Sequence, residues 1–187
     1  MPPKTTHYEL TTPILEGTKV QVDGSVVTVS GPKGEIVRDF THAEVTIQRK
    51  GKAIRVSVEY PRSRLIALVG TITSHIRNMM LGVTAGVTYK MKIVFAHFPP
   101  NVKVANDKLI IENFYGEKAP RVAQILPGVK VEIKGDDIIL EGIEIEQVGQ
   151  TAANIQHATK LRRKDPRKFH DGIYVFEKRI GERLWKV

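Results

Sequence analysis

The sequence predicts an α+β protein of two tandem duplicated domains, each an antiparallel β-sheet packed against one α-helix. Two observations carry that reading. The chain repeats its apolar pattern at a nearly constant offset, and each repeat changes near its end from a two-residue apolar period to one of three and four. A chain of 187 residues is long enough to bury a core in each half.

Each copy opens on a hairpin. Val20, Val22, Val27, Val29, Gly34 and Glu35 match, 82 residues further on and without a gap, Val102, Val104, Leu109, Ile111, Gly116 and Glu117. Apolar and polar residues alternate around Asp23-Gly24 in the first copy and Asn106-Asp107 in the second, the pattern of a half-buried antiparallel pair about a tight turn. Residues Glu35 to Phe40 read as a further strand. A second hairpin follows at an offset of 84, where Val45, Ile47, Ile54 and Val56 match Val129, Val131, Ile138 and Leu140. Its turns are Lys50-Gly51-Lys52 and Gly135-Asp136-Asp137.

The helices come last. Leu65, Val69, Ile72, Ile76 and Met79 recur at steps of four and three, an amphipathic stripe that Gly82 is expected to stop. Val148, Ala152, Ile155 and Thr159 do the same over a shorter span. An apolar stripe on a helix and an apolar face on a sheet bury each other in two layers. The expected division is 1–88 and 89–187, with GVTAGVTYKMKIVFAHFPP carrying the chain from the first helix through a strand into the next hairpin. No Ser/Gly-rich linker separates the halves, so close packing or a shared strand is expected.

Charge is unevenly spread. The formal net charge is +9, which points to a polyanionic partner. By segment the net is +4 over residues 1–88, −1 over 89–159, +5 over 160–179 and +1 over 180–187. About a tenth of the chain therefore holds more than half of the excess. Cysteine is absent, which excludes disulfides, Cys-based zinc sites and thiol catalysis and favours an intracellular protein. The longest apolar run, Leu65 to Val69, is far short of the ~20 residues a membrane span needs, and MPPKTTHYELTTP lacks a signal-peptide core. A soluble, cytoplasmic protein with no membrane partner is expected.

Catalytic patterns are weak. The six histidines form no HExxH, and His75 and His157 read as ordinary helical residues. A metal site from His157, Asp165, His170 and Asp171 would lie in a net-positive loop that repels cations. Gly31-Pro32-Lys33-Gly34 has the wrong spacing for a phosphate loop and reads as a β-turn. Asp136-Asp137 lies in a turn and Glu144 with Glu146 on one face of a strand, both solvated surface rather than an acid/base pair. No cofactor, metal or catalytic residue is expected. A phosphate-ester enzyme using the basic loop as a clamp lacks a base, a nucleophile and a metal set.

The stretch KLRRKDPRKFHDGIYVFEKR, residues 160–179, is the remaining candidate. Phe169 and His170 are planar groups beside Arg167 and Lys168, suited to stacking or ribose packing while the cations meet phosphates. Asp165-Pro166 and Asp171-Gly172 are turn formers that give a loop a fixed path. The run Ile173, Tyr174, Val175, Phe176 anchors its end as a strand, so part of the ordering cost of binding is met in advance.

A resemblance then becomes visible. AHFPPNV at 96–102, NFYGEK at 113–118, LPGV at 126–129, LEGIEIEQV at 140–148, AANIQHAT at 152–159 and KDPRKFHDGIYVFEK at 164–178 resemble ribosomal protein six of the large subunit, as do VVTVSGPKGEIVRDF at 26–40 and SHIRNMMLGVTAGVTYKM at 74–91. The KDPRKFHDGIYV form is similar to the archaeal and eukaryotic branch. The resemblance implies two duplicated α+β domains and no catalytic activity. It implies binding of large-subunit ribosomal RNA, chiefly by the second domain, near the sarcin-ricin loop and the docking region of translation factors. Neighbouring ribosomal proteins are implied partners, and self-oligomerisation is not expected. The RNA-facing positions it implies are Lys160, Arg162, Arg163, Lys164, Arg167, Lys168, Phe169 and His170, with Lys178 and Arg179. Pro166 and His170 stand where the family pattern suggests apolar residues, so Pro166 is expected to reroute the loop and His170 to face RNA. A basic RNA-binding protein outside the ribosome is the alternative.

Overall fold

A computed structural model describes residues 6–162, 164–165, 167–181 and 183–186, with Arg183 through its backbone alone. The chain divides into two compact units, Met1–Ala85 and Gly86–Val187.

In the first unit, β1 (His7–Pro13), β6 (Ala53–Glu59) and β5 (Thr46–Lys50) form one antiparallel sheet in the order β1-β6-β5. A second sheet contains β2 (Lys19–Asp23), β3 (Val26–Gly31) and β4 (Gly34–Asp39) in sequence order. Val20 faces Val29 and Val22 faces Val27 across the predicted hairpin. Helix α1 (Ser63–Thr84) packs on β1, β3, β4 and β6. Its stripe of Val69, Ile72, Ile76, Met79, Met80 and Val83 is buried, each large apolar side chain contributing on the order of 1.5–3 kcal/mol relative to exposure.

Gly82 does not stop this helix, as the sequence pattern suggested. It is buried inside the last turn. The chain turns at Gly86 instead, with φ +80°, after Ala85 donates its backbone N–H to Leu81 and Gly82. A left-handed glycine just past the helix is the common terminator.

The second unit repeats the plan. Strands β7 (Val87–Val94), β12 (Asp137–Gly142) and β11 (Lys130–Lys134) correspond to β1, β6 and β5, and β8 (Asn101–Ala105), β9 (Lys108–Glu112) and β10 (Arg121–Gln124) to β2, β3 and β4. Helix α2 (Ile145–Ala158) buries Val148, Thr151, Ala152 and Ile155 against β7, β10, β12 and β13 (Gly172–Ile180). Glu144 and Glu146 are not on a strand. Glu144 precedes the helix and Glu146 occupies its first turn, where negative charge favours the positive end of the helix dipole.

The copies differ in three places. Strands β3 and β4 are joined by residues 32–33, whereas β9 and β10 are joined by residues 113–120, which include a 3₁₀ turn at Phe114–Gly116. The gapless match through Gly34 and Gly116 therefore ends in structure at that turn. Residues 85–86 connect α1 to β7, and residues 159–171 connect α2 to β13. Finally, β13 and β14 (Arg183–Lys186) extend the second sheet to the order β11-β12-β7-β13-β14. In β7, the bond from Ile93 N–H to Asp136 O sets odd-numbered residues toward β12, leaving the even ones for β13. In β1, the bonds Tyr60 N–H to Thr6 O and Ile14 N–H to Lys52 O turn His7, Glu9, Thr11 and Pro13 outward by the same rule. Among the described residues no strand covers that outer edge.

Candidate nucleic-acid interface

The basic loop between α2 and β13 is fastened at both ends and folded in the middle. At its start Thr159 is 1% exposed. Its hydroxyl accepts the N–H of Ile173 at 3.1 Å and donates to the carbonyls of Ile155 and Gln156 at 3.2 Å. At its end the buried Asp171 carboxylate accepts the N–H of Ala96 at 2.8 Å. In between, Asp165 accepts the N–H of Arg167 through Oδ1 at 2.9 Å, and its carbonyl accepts those of Lys168 and Phe169 at 3.1 Å. That is the turn chemistry an Asp supplies.

A fourth fastening comes from β10. Arg121 donates Nε and Nη2 to Glu117 at 2.8 and 2.6 Å, and Nη1 to the carbonyls of Ala158 and Lys160 at 2.9 and 3.2 Å. Its guanidinium lies 4.4 Å from the centre of the buried Phe114 ring. These bonds satisfy carbonyls at the end of α2 that the helix itself cannot. The hydrogen bond from Arg121, and then its charge, hold the Glu117 carboxyl below the ordinary carboxylate range.

Of the residues expected to face a ligand, Lys160, Arg162, Lys164, Arg167, Lys168, Phe169 and His170 all lie exposed along this loop. Arg163 and Pro166 lie outside the described residues. Lys178 and Arg179 are not brought to the loop. They sit toward the far end of β13, about 20 Å along the strand from Gly172 at ~3.3 Å per residue. Lys178 faces Tyr89 and its Nζ lies 5.4 Å from that ring's centre, while Arg179 pairs with Thr88. Successive strand residues point to opposite faces, so the two cations do not act on one surface.

The loop's acids do not neutralise its cations. Asp165 and Asp171 are engaged by backbone N–H groups, and Glu117 by Arg121. Among the described residues Lys160, Arg162, Lys164, Arg167 and Lys168 take part in no salt bridge. Lys164 lies over two rings instead, its Nζ 5.3 Å from the centre of Phe169 and 5.9 Å from that of Tyr115. The rings meet edge to face at 6.1 Å and 83°.

Tyr115 and Arg121 were not expected as members of this site. Asn113 and Tyr115 have φ of +56° and +54°, a left-handed conformation uncommon outside glycine. The only signal was the run NFYGEK, whose Asn and Gly are the residues that tolerate it. His75, by contrast, hydrogen-bonds Arg38 in the first unit, and His157 lines the cleft beside the loop. No group of three or more His, Asp or Glu among the described residues could hold a metal.

The fold is thus a duplicated two-layer α+β chain, and its second copy carries a cationic loop with no salt bridge among the described residues beside a carboxylate, Glu117, locked to Arg121. Comparison with known proteins gives the family. The model of Ribosomal protein L6 matches residues 14–86 and 98–172, one match in each copy. A large ribosomal subunit protein uL6 from Aeropyrum pernix is 54% identical over 168 residues, 89% of this chain and 92% of the relative. The proteins of that name from Ignicoccus hospitalis and Methanobrevibacter smithii are 51% and 47% identical, over 89% and 88% of this chain and 92% and 93% of theirs. The chain belongs to the ribosomal protein L6 family in its archaeal form, a family of structural, non-enzymatic proteins.

Proposed function

We propose that the protein is a structural constituent of the large ribosomal subunit, in the cytoplasm, and that it binds large-subunit ribosomal RNA through the loop between α2 and β13. The observation that carries this reading is the loop's construction. Five cations with no acidic partner among the described residues are presented on a backbone fixed by Thr159, Asp165, Asp171 and Arg121. Arg and Lys neutralise phosphates and release counterions, and the fixed path suits recognition of RNA shape. The relatives' shared name supports assembly into the large subunit. A position near the sarcin-ricin loop, with translation factors and other ribosomal proteins as neighbours, is part of the same proposal.

The test is the salt dependence of binding to archaeal large-subunit ribosomal RNA transcribed in vitro. With about five phosphates engaged, log affinity falls with log salt at a slope of roughly −3 to −5. Changing Arg163, Arg167 and Lys168 together to Gln flattens it by about two units or more. An unchanged slope in the triple variant refutes this loop as the contact. Lys178→Gln and Arg179→Gln measure separately whether the far end of β13 adds a contact. A chemical footprint of the protein on the same RNA locates the site.

A further inference from the structure

Beside the loop lies an open cleft of about 460 Å³, within the range of small-molecule sites, lined by Tyr115, His157, Lys160, Arg162 and Lys164 with the Glu117–Arg121 pair. We infer that this cleft takes a single unstacked nucleotide of the bound RNA, its base against the Tyr115 ring and its phosphate met by Lys160 and Arg162. The inference rests on the RNA-binding reading above and adds a base-binding subsite to it.

Three observations support it. First, Tyr115 is held where an ordinary residue is disfavoured. It and Asn113 both have left-handed backbones, a conformation uncommon outside glycine and rarer for a bulky residue than for Asn, and the Asn113 amide donates to Pro99 O at 3.2 Å. This turn belongs to the longer β9–β10 connection, which the first copy lacks. Second, the ring is braced by Phe169 at 6.1 Å and by the Lys164 ammonium at 5.9 Å, so it is pre-oriented. Third, the charge is placed for a nucleotide. The carboxylate lining the cleft, Glu117, is paired with Arg121, while Lys160, Arg162 and Lys164, which line it too, have no acidic partner among the described residues. An aromatic ring and cations without acidic partners in one cleft are the combination that holds a splayed base and its phosphate.

Stacking and charge neutralisation separate in one experiment. Binding of the full chain to the in vitro transcript is measured across salt concentrations for Tyr115→Ala, Tyr115→Phe, Arg162→Gln and the triple variant above. Removing a stacked base costs ~1–3 kcal/mol, or about 5- to 150-fold in affinity, with no change in counterion release. Tyr115→Ala is therefore expected to weaken binding by about tenfold or more at an unchanged salt slope, with Tyr115→Phe near the parent. Arg162→Gln should flatten the slope by about one unit. Base-modification footprinting should lose protection at one unpaired nucleotide in Tyr115→Ala alone. Tyr115→Ala binding like the parent while the triple variant loses slope would overturn the subsite and leave RNA binding standing. A Tyr115→Ala slope that flattens would also overturn it, since the ring would then only position Lys164. A triple variant with an unchanged slope removes the underlying reading itself.

Discussion

Arg121 and Glu117 are joined by two hydrogen bonds, at 2.8 and 2.6 Å, and the same guanidinium reaches the carbonyls of Ala158 and Lys160 where α2 ends. One side chain thus links the β9–β10 connection to the start of the basic loop. Replacing Arg121 with Ala leaves Glu117 and the two carbonyls without their partner. A loss of about 2 kcal/mol in unfolding free energy is expected by urea titration at pH 7. Lys should recover little of it, since a point charge cannot reproduce the forked geometry.

The same pair makes a pH prediction. Glu117 titrates below the ordinary carboxylate range because of Arg121. A carboxyl whose folded-state pKa is depressed contributes fully above its unfolded value and loses that contribution as pH falls through the folded one. The penalty of Arg121→Ala should therefore be largest at neutral pH and shrink below about pH 4. Paired urea titrations at pH 7 and pH 3 read this directly, and an equal penalty at both would refute it.

Thr159→Val and Asp171→Asn probe the loop's two ends. Thr159→Val keeps the shape but leaves the buried Ile173 N–H without its acceptor, which costs ~1–3 kcal/mol. Asp171→Asn removes the charge from the bond to Ala96 and should cost less, since a carbonyl oxygen still accepts. In both, hydrogen exchange is expected to speed up over residues 160–171 before it does in α2.

Gly31→Ala tests the first unit. An added Cβ would lie 2.8 Å from Val83 Cγ2 and 2.9 Å from the Val83 carbonyl. A methyl group cannot displace a backbone carbonyl cheaply, so a loss of ~1–3 kcal/mol is expected by thermal melting. Val83→Ala in the same chain should not restore stability, since the carbonyl remains and a cavity is added.

The repeated part of the molecule was legible in the sequence because alternation and helical period are local signals. Val20 and Val29, or Ile47 and Val56, declare their pairing by spacing alone. The basic loop was legible through its charge and its Asp turns. What was not legible arises where the second copy departs from the first. Tyr115 enters the site through a left-handed turn between β9 and β10, and Arg121 reaches α2 from 37 residues away. No periodic pattern encodes either. Lys178 and Arg179 show the converse, since closeness in sequence to a basic loop does not survive a strand that carries each residue ~3.3 Å further on.

The outer edge of β1 has a consequence for how the two sheets avoid sticking to other chains. In the second copy β13 occupies the corresponding edge and consumes the outward N–H groups of β7. In the first, the outward positions fall to His7, Glu9, Thr11 and Pro13. Pro13 has no N–H to offer, and Glu9 carries a charge held by His7 and Arg55 at 3.0 and 2.9 Å. Proline and charge on an edge discourage the open-ended strand pairing that leads to aggregates. One copy is thus kept apart by an added strand and the other by its side chains, so a chain cut after α2 would bare the Thr88, Lys90 and Lys92 edge with lysine charge, and no proline, to guard it.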